Sequence, residues 1–142
     1  MEINIFLYIF AKIIIRLMED FKVIIAGSRN FNDYKLLKEQ CNKYLRNKRE
    51  TCNIVIVSGH AYGADSLGEK YAKDEGFSTE IYPAQWDTYG KRAGYLRNEQ
   101  MAKVADVLIA FWDGESRGTK HMIDIMNKEN KQIRVVRYDT TN

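Results

Sequence analysis

Five apolar runs alternate with amphipathic stretches along this chain, and the alternation sets the expected architecture. Residues 54–57, Ile-Val-Ile-Val, are apolar without interruption, which is the pattern of a strand buried on both faces. Residues 21–26, 78–82, 106–111 and 133–138 supply four further strands. Between them the apolar positions recur at helical spacing. Tyr34, Leu37, Cys41, Tyr44 and Leu45 mark a helix opened by Asp33 and running to about Asn47, and Leu67, Tyr71 and Ala72 mark one over 65–74 that Gly76 stops. Two more helices are expected, one ending near Lys103 and one from Thr119 to about Asn130, with the tail to Asn142 frayed. Strands alternating with helices require right-handed crossovers and a parallel sheet. The expected fold class is therefore α/β: a three-layer sandwich whose five-stranded parallel sheet has the order 3-2-1-4-5, with helices on both faces.

Residues 1–20 do not fit that alternation. Ile3 to Leu17 is almost wholly apolar, broken by Lys12 and Arg16, and falls short of the roughly 20 apolar residues that a spanning helix needs. The division is thus an apolar N-terminal extension over 1–20 and one α/β domain over 21–142. Three readings of the extension stand: a helix packed on the domain or on a second subunit, a membrane-surface anchor, or a stretch upstream of a start at Met18, the last being favoured. Translated, its apolar surface calls for cover, so a homo-oligomer is a candidate state; a membrane partner is expected only if the extension is an anchor.

Composition narrows the classes. With 142 residues the chain suits one domain, and 22 basic against 19 acidic residues leave a net charge of +3, too mild to announce nucleic acid. Two cysteines, Cys41 and Cys52, lack metal or redox spacing, which points to a cytoplasmic home. The two histidines, His60 and His121, have no ligand cluster around them, and no metal site is expected.

Candidate chemistry lies in the loops that follow the strands. After the second strand, Ser58, Gly59, Gly63 and Ala64 allow a tight turn in which another molecule can approach the backbone amides, and Asp65 opens the next helix. A carboxylate there repels phosphate and suits a ribose hydroxyl. Gly27, Ser28 and Arg29 follow the first strand, offering close approach, a hydroxyl and a planar guanidinium fork. Gly114, Ser116, Gly118 and Thr119 repeat the small-residue pattern after the fourth strand. The long segment after Pro83 adds Trp86 and Tyr89 as flat surfaces, with Arg97 and Asn98 early on a helix. In the order 3-2-1-4-5 the loops after the first, second and fourth strands open onto one crevice, the usual ligand site of an open α/β sheet.

The motifs GSRNF, SGHAYGAD, PAQWDTYGKRAGYLRNEQM and ADVLIAFWDGESRGTKHMI, in this order, resemble the YspA group, related to YpsA, of the SLOG superfamily of Rossmann-like domains found in bacteria and phages. The likeness runs over about 21–136. It implies a Rossmann-like fold and a pocket for a nucleotide or nucleotide-derived molecule of the ADP-ribose or NAD kind, the one bound group expected. Enzymes of the superfamily, the LOG phosphoribohydrolases, cleave the bond between a base and ribose 5′-phosphate with an arginine in an R-K-x-x-M-like motif and a glutamate in G-G-x-G-T-x-x-E. Arg97 and Met101 match the first motif, making Arg97 and its neighbour Glu99 the candidate catalytic residues. In the second motif Met122 stands where the glutamate is expected, and a thioether can neither take a proton nor stabilise an oxocarbenium charge. Binding or sensing is therefore the expected function, ahead of N-glycosidic hydrolysis. Nucleic-acid binding like that of the SLOG domain of DprA is the least favoured alternative.

Overall fold

The computed structural model describes residues 2–139. In chain order the elements are α1 (Glu2–Met18), β1 (Asp20–Gly27), α2 (Tyr34–Leu45), α3 (Lys48–Thr51), β2 (Asn53–Ser58), α4 (Ala64–Glu75), β3 (Ser78–Ile81), α5 (Trp86–Tyr89), a 3-10 turn (Gly90–Arg92), α6 (Ala93–Val104), β4 (Val107–Trp112), α7 (Arg117–Lys128) and β5 (Gln132–Arg137). The five strands pair in parallel in the order β3-β2-β1-β4-β5. This is the sheet that the alternation of the sequence predicts.

The unbroken apolar runs feed two cores at once. Val23 and Ile25 of β1 point to one face, where they meet Leu37, Cys41 and Leu45 of α2 and Tyr71 and Ala72 of α4. Ile24 and Ala26 point to the other, against Met101 and Ala102 of α6 and Met122 and Met126 of α7. Successive side chains leave a strand on opposite faces, so a strand covered on both sides must be apolar at every position. Close packing of α4 on the sheet depends on Gly68, since a β-carbon there would lie 2.9 Å from the side chain of Ile25.

Local signals fix the ends of the helices. Asp33 caps α2 by accepting a hydrogen bond from the Leu36 amide at 3.0 Å. Gly76 closes α4 in the left-handed region at φ 75°, donating its N–H to the carbonyls of Ala72 and Lys73. The helix expected to reach Asn47 instead stops at Leu45 and is followed by the separate turn α3. α7 starts at Arg117 rather than Thr119, because Ser116 is the N-cap and accepts from the Thr119 amide. α5 and the 3-10 turn fill much of the long segment after β3, placing Arg97 in the second turn of α6.

The N-terminal extension forms the helix α1, whose side chains from Asn4 to Ile15 are exposed, Phe6 to 75%. None of these described side chains joins either core. Among the described residues no helix is long and apolar enough to cross a membrane. The expected fraying concerns the tail after Tyr138, of which residues 140–142 lie outside the described residues.

Candidate functional site

The chain leaves β1 toward α2 on one face and leaves β4 toward α7 on the other, so a crevice opens between the carboxyl ends of these neighbouring strands. Backbone hydrogen bonds sew its loops together. The Ser28 amide donates to the Phe111 carbonyl at 3.1 Å, and the Ser28 carbonyl accepts from Phe31 at 3.1 Å and Ala64 at 3.3 Å. Gly27 has no room for a side chain beneath the Phe111 carbonyl and Ala64. Gly63, at φ 78°, lies against the carbonyls of Ser28 and Arg29, a position that demands both glycine's conformation and its lack of a β-carbon.

α6 closes the crevice. The Arg97 guanidinium donates through Nη1 to the Gly59 carbonyl and through Nε to Asn98 Oδ1 at 3.0 Å. Buried Asn98 donates through Nδ2 to the Gly118 carbonyl at 3.2 Å and lies 3.2 Å from His121 Nδ1. One pair of adjacent residues thereby ties α6 to the loop after β2 and to the first turn of α7.

The result is a cavity of about 520 Å³, lined among others by Gly27, Ser28, Arg29, Asp65, Trp86, Arg97, Asn98, Ser116, Gly118 and Thr119. Its size lies within the range of small-molecule sites. Among the described residues nothing beyond its own helix backbone and chain neighbours lies within 4 Å of where a β-carbon on Gly118 would sit, so this part of the wall is open.

Charge inside the cavity is set by burial. Asp65, 6% exposed, has its carboxyl pushed up to about 6, chiefly by loss of water. The Ala61 amide, donating at 3.2 Å, and the positive charge of Arg97 oppose that rise. Burial also lowers the Arg97 guanidinium from its ordinary value, with the Asp65 charge opposing. At the opposite wall the Ser116 amide holds Asp113 below the usual carboxylate range, helped by that of Glu115, both donating to Oδ1 at 2.9 Å. Burial lowers His121, whose ring meets Tyr95 edge-on at 4.4 Å between centroids.

Several residues singled out in the sequence lie outside this lining. Ser58 turns inward, fully buried, and its hydroxyl donates to Glu69 Oε2 at 2.7 Å. Gly63 and Ala64 serve the contact between loops, and Gly114, at φ 86°, lies under the Arg137 guanidinium. Tyr89 ends α5 with an exposed ring, and Glu99 sits on the exposed outer face of α6, because the inner face is taken by Asn98, Met101 and Ala102. Gly59 borders a second cavity instead. The cavity also takes in Lys91, whose charge in the long polar and aromatic segment after Pro83 suits phosphate, together with Ala61, Tyr95, Met101, Asp113 and Met122, which the loop pattern alone does not mark as lining residues. Asp113 had a visible signal, the D-x-x-S spacing after a strand that favours a side-chain-capped turn. Tyr95 had none beyond lying in the same polar, aromatic segment.

A parallel, doubly wound sheet with a ligand-sized cavity at its switch point defines a Rossmann-like α/β protein. Sequence comparison refines the class: residues 21–89 match the YspA, cpYpsA-related SLOG family. The chain is also 38% identical over 106 residues to the Gene 61 protein of Mycobacterium phage D29, covering 70% of this chain and 83% of that protein. It belongs to the YspA, cpYpsA-related SLOG family. Among solved structures, the fold is similar to DNA processing protein A of Streptococcus pneumoniae (TM-score 0.64, 19% identity, 87% of this chain). The chain spans only 52% of that protein. The Helicobacter pylori DNA processing protein A, described by its single-stranded DNA binding mode, gives a TM-score of 0.61 at 21% identity, over 86% of this chain and 67% of its own. The protein TM1055 gives 0.57 at 17%, over 82% and 72%.

Proposed function

We propose that the protein binds or senses a nucleotide or nucleotide-derived ligand in the crevice at the carboxyl ends of the strands. The observation that carries this reading is the cavity itself, in which Arg97 lies near the buried carboxyl of Asp65 and the open first turn of α7 forms another wall. A guanidinium has five N–H donors, and the hydrogen bonds to Gly59 and Asn98 occupy two of those of Arg97. The others, with Arg29 and Lys91 on the same lining, suit phosphate oxygens. Asp65 suits a sugar hydroxyl, and half-exposed Trp86 offers a face to a base. Calorimetry against ADP-ribose, NAD, AMP and cyclic nucleotides tests the reading: saturable heat from at least one supports it, and uniform absence of heat at high concentration contradicts it.

One observation favours a second reading, N-glycosidic hydrolysis. The Asp65 carboxyl, pushed up by burial to about 6, sits beside Arg97, in a cavity that Met122 also lines. In that reaction the C1′–N bond breaks, the oxygen of water bonds to C1′ and its proton goes to the departing base. Incubation with nucleoside monophosphates that releases no free base, with Arg97→Ala as control, retires it. Fold likeness to the DNA processing proteins motivates a DNA assay as well. Electrophoretic shift of single-stranded DNA that weakens steeply as salt rises supports that alternative, since phosphate contacts release counterions.

A further inference from the structure

A second cavity of about 490 Å³ adjoins the first, and the two share Arg29, Ala61, Trp86 and Arg97 in their linings. The wall between them is thus built around two guanidiniums and an indole. Arg29 is exposed and Trp86 is 49% exposed, so the top of the wall is open. Among the described residues no carboxylate lines the second cavity directly, Glu69 reaching it only through His60, whereas Asp65 and Asp113 line the first. Aromatic rings border it: His60, Tyr62 at 81% exposure, and the shared Trp86.

The second cavity is also braced. His60 holds the left-handed conformation at φ 60°, which residues with a side chain adopt uncommonly. Its amide donates to Ser58 Oγ at 3.1 Å, and its Nδ1 lies 3.0 Å from Glu69 Oε2, the oxygen that also accepts the Ser58 hydroxyl. Buried Ser58 and partly exposed Glu69 therefore fix both the backbone and the ring of His60 at the cavity mouth. Backbone strain held in place by a dedicated network is a feature of ligand clamps.

We infer that the second cavity is a second subsite and that the ligand is a diphosphate-bridged molecule with a ring at each end. Its bridge lies across Arg29 and Arg97, and its second ring lies against Tyr62 and His60. Two guanidiniums at the shared wall match the two charges of a diphosphate. The inference rests on the nucleotide-binding reading and extends it from one ring to two.

Calorimetry on the full chain with ADP, diadenosine diphosphate and the phosphodiester dinucleotide pApA tests it. The expected result is that diadenosine diphosphate binds at least about tenfold tighter than ADP, the gain that stacking one more ring on an aromatic side chain supplies. Tyr62→Ala, at a surface position outside the cores, removes that gain and leaves ADP affinity unchanged. Equal affinity for ADP and diadenosine diphosphate, or an equal loss for both in the variant, overturns the second subsite while leaving nucleotide binding intact. Tighter binding of pApA than of diadenosine diphosphate overturns the diphosphate bridge in favour of a nucleic-acid strand. If none of the three binds, the second subsite is overturned, while the nucleotide reading stands or falls on the titrations with ADP-ribose, NAD, AMP and cyclic nucleotides.

Discussion

Asp65 sits at the first turn of α4, where a carboxylate normally gains from the helix dipole, yet burial raises its proton affinity instead. In the unfolded chain the group titrates near the ordinary aspartate value of about 3.9. Its folded value, about 6, is higher, so the folded state holds the proton more tightly between those limits. Stability therefore falls as pH rises from about 4 to about 6, and the loss persists above, amounting to about 3 kcal/mol for a two-unit rise. Asp65→Asn keeps an oxygen for the Ala61 amide and removes the charge. The variant is expected to melt higher than the natural protein at pH 8 and about equally at pH 4; a lower melting temperature at pH 8 contradicts the burial of an ionised carboxyl. Retaining such a residue is the cost expected of a binding site rather than of a scaffold.

Arg97 is the second residue with a clear test. Arg97→Ala deletes charge-assisted hydrogen bonds worth about 1.5–3 kcal/mol each, so affinity for a phosphate-bearing ligand is expected to drop by about 10- to 100-fold. Arg97→Lys keeps the charge and loses the fork, and is expected to recover only part of that loss. Equal affinity in all three proteins, measured by calorimetry, removes Arg97 from the site.

At the scale of elements, the loop between β2 and α4 separates folding from binding at two glycines. A β-carbon on Gly59 would strike the Arg97 guanidinium, the end of a flexible side chain, and come within 2.9 Å of Asp65 Oδ2. Gly59→Ala is expected to fold with a melting temperature near that of the natural protein and to bind nucleotide poorly. Gly63 differs, since its missing β-carbon faces the carbonyls of Ser28 and Arg29 and its φ is 78°. Gly63→Ala is expected to destabilise by more than about 1 kcal/mol in denaturant unfolding. The same loop shows where the sequence was legible. Strand, small residues and helix were readable from hydrophobic runs and glycine positions, and with them the sheet order and the crevice. The turning inward of Ser58 toward Glu69 was not, because a hydroxyl at a strand end serves a ligand or a neighbouring carboxylate equally well, and only packing decides. The face of α6 was equally hidden: Asn98 is buried while Glu99, one residue on, is exposed, a difference set by where a 12-residue helix with little amphipathic pattern lies against the sheet.

At the scale of the molecule, two cores and a cavity form the α/β fold, and α1, whose C-terminal end leads into β1, exposes its side chains from Asn4 to Ile15 and adds none of them to either core. Removal of residues 1–17 is expected to leave the melting temperature unchanged within a few degrees and to abolish any self-association seen by analytical ultracentrifugation. Loss of folding on removal contradicts the independence of the domain from α1. The central claim, that the loops after β1, β2 and β4 and the Arg97 guanidinium form one ligand site, is tested most directly by a crystal structure of the full chain grown with ADP-ribose. The expected result is ligand density within the crevice, with phosphate oxygens in hydrogen-bonding reach of Arg97. Density on another face of the sheet, or a vacant crevice at saturating ADP-ribose with Arg97 hydrogen-bonded only to the protein, contradicts it.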